Sequence, residues 1–214
     1  LSNDTVDNRG KNKDSELTLI ATGDSMVSRR LSVYSDDGQF RKLVDLLRGG
    51  DVTFTNLEGM VNDFKGYPAK PFNIGTYMAA ESDLVEELKW LGFNMLSIAN
   101  NHTMDYSAEA LLVARKALKK ARLQNSGAGL NLMEAREPAF LDTKAGRVAL
   151  ISLCSFYGFP WERASDPRDN IDGRPGINGL RTETSYVVDE QSFKEIQRIN
   201  STLQIPKINF AQKL

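Results

Sequence analysis

Histidine is nearly absent from this chain: 214 residues contain one, His102. A single imidazole is all the sequence can bring to any site. Cysteine is equally scarce, and the lone Cys154 excludes an intrachain disulfide framework. Its setting, VALISLCSF, reads as a buried strand with a small core residue. There is no basic excess, since 27 Lys and Arg stand against 28 Asp and Glu for a net charge of -1. Nucleic-acid binding therefore has no electrostatic support. No window approaches the roughly 18 apolar residues of a membrane span.

What is present suits a folded α/β domain. The hydrophobic fraction, 41%, is enough for a core. Residues 1–15 are polar and read as a leader or linker, residues 16–205 as the domain, and residues 206–214 as a tail without a clear partner. ELTLIATG is of strand length and ends at Gly23-Asp24. GQFRKLVDLLRGG has helical spacing, with Phe40, Leu43, Val44 and Leu47 on one face and a stop at Gly49-Gly50. DVTFTNLEG is a second strand, followed by a Gly/Pro-containing loop over residues 62–78. ESDLVEELKWLGF puts Leu84, Val85, Leu88 and Leu91 inward. NMLSIAN is a third strand, and SAEALLVARKALKKA a third helix capped by Ser107. EPAFLDT and GRVALISL pair as antiparallel strands across Lys144-Ala145-Gly146. A long irregular stretch, residues 155–182, precedes a last helix in DEQSFKEIQRIN.

This alternation predicts a layered α/β sandwich with a mostly parallel central sheet. In such sheets ligands gather beyond the carboxyl ends of the strands. Asp24 follows the first strand, Asn56 and Glu58 end the second, and Asn100, Asn101 and His102 end the third. If neighbouring strands run parallel, the clusters meet on one rim. Carboxylates, amides and an imidazole there suit a divalent cation, with imidazole nitrogen favouring Mn²⁺, Fe²⁺ or Zn²⁺ over Mg²⁺. An imidazole not bound to metal protonates a leaving group. Arg29, beside Arg30, suits a phosphate or carboxylate. Each piece has a plainer reading as well. Asp24 fits a turn, NLEG a turn or cap, Asn-Asn-His-Thr a set of backbone bonds, and the arginines a solvated pair. SGAGLN fits either an anion nest or an ordinary glycine loop.

Five stretches together resemble the CapA family of capsule or poly-γ-glutamate biosynthesis proteins: ATGDSMVSR, DVTFTNLEG, LGFNMLSIANNHTMDYSAEALL, SGAGLNLMEAREP and RPGINGLR. They occur in the family's order. The resemblance implies a calcineurin-like metallophosphoesterase fold. It implies Asp24 as a first metal ligand, Glu58 as the bridging carboxylate, Asn101 as a ligand of a second metal and His102 as the residue assisting the leaving group. Asp105 would brace the loop alongside Asn100, and Arg29, Asn56 and Arg181 would face substrate. Mn, Zn, Fe or Mg would be the cofactor and an anionic polymer or phosphate-containing compound the substrate. Membrane synthase or export subunits would be partners, in an exported or membrane-attached setting. Two departures stand out. Related metallophosphoesterases draw further histidine ligands from their second half, which this sequence does not contain, and family members commonly have glycine where Ser107 stands. The chain is then either part of a longer protein or a member with half a centre. In the second case it would be a non-catalytic scaffold or polyanion-binding subunit.

Overall fold

The computed structural model describes residues 16–69, 76–182, 185–203 and 210–212. The polar opening at residues 1–15 and most of the tail lie outside these residues. The chain divides into two compact units, one ending at Leu180 and the other running from Arg181 to Leu214. The strands of the first unit are β1 (Leu19–Ser25), β2 (Val52–Leu57), β3 (Met60–Val61), β4 (Ala79–Ala80), β5 (Met95–Ser97), β6 (Gln124–Ser126), β7 (Ala128–Gly129), β8 (Ala139–Thr143), β9 (Gly146–Leu150) and β10 (Gly176–Ile177). Its helices are α1 (Gly38–Arg48), α2 (Val85–Leu91), α3 (Ser107–Ala121) and α4 (Leu132–Arg136). The second unit holds α5 (Glu190–Leu203) and a parallel pair, β11 (Tyr186–Val188) with β12 (Phe210–Gln212), so the tail does pair with a strand.

β1, β2, β5 and β6 form one sheet in that order, and every pairing is parallel, as the alternation predicts. The strand order follows the chain, so each crossover steps the same way across the sheet. Because such crossovers are right-handed, α1, α2 and α3 fall on a common face. That face carries the core: Leu57 and Leu96 from the sheet, with Ile98 just beyond β5, pack against Val44, Leu47, Leu88, Leu111 and Leu118. Burying a side chain of this size contributes about 1.5–3 kcal/mol. On the opposite face Leu19 stays 53% exposed.

Local sequence explains the helix ends. Asp37 caps α1 by accepting from the N–H groups of Gln39 and Phe40 at 2.9 and 2.8 Å. α2 stops at Gly92, whose φ of +109 suits glycine and whose close approach to the Arg48 backbone leaves little room for a Cβ. Two expectations need correction. Leu43 is 48% exposed, because the buried stripe of this short helix is narrow and runs through Val44 and Leu47. Ser107 does not cap α3 with its side chain; it is the buried first residue of the helix, at φ +70, and Tyr106 holds the cap position. That left-handed φ is where glycine costs least.

β8 and β9 form the expected antiparallel hairpin. Cys154 is buried, as read, and bridges to Gly179 beyond the end of β9. Among the described residues no helix is long and apolar enough to cross a membrane.

The loop after β1 is held by a carboxylate that the periodicity placed simply on a helix. Glu87 of α2, with its side chain 6% exposed, accepts from the N–H groups of Leu31 and Ser32 at 2.9 and 2.7 Å and from the Ser32 hydroxyl at 3.0 Å. Arg30 lies 3.5 Å away and also pairs with Asp83. Burial pushes the Glu87 pKa up, but the Ser32 and Leu31 hydrogen bonds and the Arg30 charge outweigh it and hold the value below the ordinary glutamate range. The resulting stability is complete above the unfolded-state pKa and drains away as pH falls through the lowered folded value. Thermal melts between about pH 5 and pH 3 should therefore show a steeper loss of Tm in the wild type than in Glu87→Gln. Parallel curves would mean that Glu87 contributes no acid sensitivity.

Candidate functional site

The carboxyl ends of β1, β2 and β5 bring the polar clusters to one rim. β1 and β2 pair from Leu19↔Val52 to Ala21↔Phe54, and then the register shifts, so that Asp24 pairs with Asn56. Three residues of β1 thus span two of β2, which is a β-bulge. Simple alternation from Ala21 would send Asp24 to the helix-covered face. The extra residue turns it onto the face that Asn56 and Glu58 share.

Asn56 sits at the centre. Its side-chain amide donates to Asp24 Oδ1 at 2.9 Å and to Glu58 Oε2 at 2.5 Å. Its carbonyl oxygen accepts from the Asn100 amide at 3.2 Å. Asn100 is buried, and its amide also donates to the Leu57 carbonyl at 2.8 Å. The Asn100 carbonyl oxygen accepts from the His102 N–H at 3.0 Å and the Thr103 hydroxyl at 3.1 Å. Thr103 in turn donates to the Ile98 carbonyl at 2.8 Å, which closes the turn after β5. The plainer reading of Asn-Asn-His-Thr, backbone bonding within a turn, therefore describes Asn100 and Thr103 well. It does not account for the imidazole.

His102 Nδ1 lies 2.7 Å from Asp105 Oδ2, and Asp105 is fully buried. A carboxylate only accepts, so Nδ1 carries the proton in this contact, and Nε2 is the ring nitrogen turned away from Asp105. Nε2 lies 3.9 Å from Glu58 Oε1, the oxygen that Asn56 does not use. Asp105 is fixed as well, because its Oδ2 accepts from the Met78 N–H at 3.2 Å and its carbonyl from the Ala69 N–H at 2.9 Å. Sequence reasoning missed Met78, which contributes only its backbone from within an irregular loop. No side-chain signal could have found it.

Asn101 stands half-buried in the same turn as His102. Arg29 is exposed on the loop after β1, beside the anchored Arg30. Arg181 is exposed and opens the second unit. A cavity of about 300 Å³ is lined by Met26, Gly59, Met60, Tyr77 and Met78, close in sequence to Asp24, Glu58 and the Asp105 contact. In SGAGLN, Gly127 has φ +112, and a Cβ there would lie 2.5 Å from Ala99 Cβ and 2.8 Å from Ser152 Cβ. Close packing is thus what this glycine serves.

The donor set suits a divalent cation in kind, with carboxylate oxygens, an amide oxygen and an imidazole nitrogen. Among the described residues, however, no group of three or more His, Cys, Asp or Glu side chains gathers closely enough to hold a metal ion.

A parallel α/β sheet that concentrates carboxylates, amides and a carboxylate-backed imidazole beyond its strand ends defines a rim-site α/β protein. Comparison with known proteins gives the family. The model of the bacterial capsule synthesis protein PGA_cap matches residues 18–205, so the chain belongs to that family. It is 35% identical over 192 residues to the uncharacterized protein y4sH of Sinorhizobium fredii, covering 88% of this chain and 41% of the relative. It is 31% identical over 150 residues to the capsule biosynthesis protein CapA of Bacillus anthracis, covering 67% of this chain and 36% of that protein. With the PGA biosynthesis protein CapA of Bacillus subtilis it shares 27% identity over 128 residues, 58% of this chain and 33% of the relative. The chain thus spans 41%, 36% and 33% of the lengths of these three relatives.

Proposed function

We propose that this CapA-like chain carries part of a divalent-cation-assisted acid–base site acting on an anionic substrate in capsule or poly-γ-glutamate biosynthesis. The observation that carries the reading is the pairing of His102 with buried Asp105, which leaves Nε2 facing Glu58. Two rim carboxylates repel an anion, so an anionic substrate requires positive charge between itself and Asp24 and Glu58. Asp24, Glu58 and the Asn101 amide are the groups that would hold a cation, which when bound clamps the anion and lowers the pKa of water. His102 moves a proton at Nε2 while Asp105 holds the ring. Asn100 sets the height of the turn that carries both, and Arg29 is the candidate contact for a substrate anion. In this reading the protein works in an exported or membrane-attached setting with synthase or export subunits.

A second reading, a non-catalytic scaffold or polyanion-binding subunit, draws support from the lack of a closed three-ligand group among the described residues. Thermal shift with Mn²⁺ or Zn²⁺ separates the two. A ligand at 100 times its Kd stabilises by about 2.7 kcal/mol. The wild type should be stabilised by about that much, read as a rise in Tm, and Asp24→Ala and Glu58→Ala should lose it. A wild type that gains no stability from either metal, while still assembling with its partners, would favour the scaffold.

A further inference from the structure

Substrate-facing amides keep donors free, but both donors of Asn56 are engaged. They take one oxygen of each carboxylate, Asp24 Oδ1 and Glu58 Oε2. The second oxygen of Glu58, Oε1, is the one that stands 3.9 Å from His102 Nε2. Which way the Asn56 amide faces is itself fixed, because its carbonyl oxygen accepts from Asn100, whose other donor is spent on the Leu57 carbonyl. A flipped Asn56 would set its N–H₂ against the Asn100 N–H₂ and turn its oxygen toward two carboxylates. Both contacts repel, so the orientation has one satisfied solution. The two amides thus tie the ends of β1, β2 and β5 together.

We infer that Asn56 is a positioning residue: it holds Asp24 and Glu58 at a fixed separation and aims Glu58 Oε1 at His102 Nε2, with Asn100 setting its orientation. Two carboxylates placed this close repel each other, and the amide N–H₂ is the neutral donor that offsets the repulsion without consuming the outward oxygens. Partners of this kind orient a ligand without touching what it binds, and their removal typically costs about 10–100-fold in metal affinity. Only the cation-affinity part of the inference rests on the proposed function above.

The test exploits the single histidine, whose ring nitrogens give unambiguous ¹⁵N signals. In metal-free protein, Glu58→Gln should shift the His102 Nε2 resonance when Asn56 is present. The shift should vanish in an Asn56→Ala background, where Glu58 is no longer aimed at the ring. Asn56→Asp keeps the shape but loses both donors, and it should abolish the same response if the alanine variant does not fold. Equal responses with and without Asn56 would overturn the positioning role. Separately, Mn²⁺ binding followed by electron paramagnetic resonance should weaken about 10–100-fold in Asn56→Ala, and an unchanged Kd would also overturn it. If the wild type binds no Mn²⁺, the cation reading fails, and the His102 response still decides the role of Asn56.

Discussion

Under the proposed acid–base function, replacing His102 with alanine is expected to lower turnover of an anionic substrate such as a phosphodiester by about 10²–10⁴-fold, the usual contribution of a positioned acid or base. In that proposed role the effect should fall on kcat more than on KM, because an acid–base imidazole acts on the proton in transit and not on the resting substrate. Folding should survive, since the bonds that shape the turn run through the His102 N–H, Asn100 and Thr103 rather than through the ring. Asp105→Asn provides the intermediate case. It retains an acceptor for Nδ1 but loses the charge that stabilises the protonated ring, so its kcat should lie between those of the wild type and His102→Ala. Assays on the full-length protein loaded with Mn²⁺ would measure both. Activity within about threefold of the wild type in His102→Ala would remove the acid–base assignment.

Gly127→Ala is expected to cost substantial stability. Its φ of +112 is costly for alanine, and the added Cβ would sit 2.5 Å from Ala99 Cβ and 2.8 Å from Ser152 Cβ. Backbone strain and overpacking together amount to about 2–6 kcal/mol. The Gly127 carbonyl also accepts from the Asn178 N–H at 2.7 Å, so relief by backbone movement would loosen the β6 exit and the segment packed on it. Gly23 is the control: it meets nothing within 4 Å, and Gly23→Ala should change stability by less than about 0.5 kcal/mol. Urea denaturation would compare the two. Equal midpoints would show that the Gly127 loop yields without cost.

The parallel sheet was legible because strand-length apolar runs alternate with helix-period stretches, and that pattern leaves few topologies open. Asp24, Glu58 and His102 were legible as rim candidates because each stands at or beyond the carboxyl end of a strand in such a sheet. What the sequence did not disclose depends on partners distant along the chain. Asn56 read as a residue facing substrate, while its amide is spent on a carboxylate 32 residues away and on its near neighbour Glu58. Glu87 looked like one more polar position on an amphipathic helix, yet it closes a loop 55 residues earlier. Ser107 matched a helix cap by residue type, but its backbone adopts a conformation that residue type does not report. The family resemblance contributed what local pattern lacked, including the note that glycine commonly stands at that same position.

The bulge between Ala21 and Asp24 makes chain length itself part of the site. A sequence one residue longer there, its bulge otherwise unchanged, would retain every motif letter, Asp24's equivalent included, yet would set that carboxylate opposite Leu57 and direct it beneath the helices. Motif matching would score such a chain as intact. Among distant relatives, spacing across the first strand is therefore as informative as the identity of the aspartate that ends it.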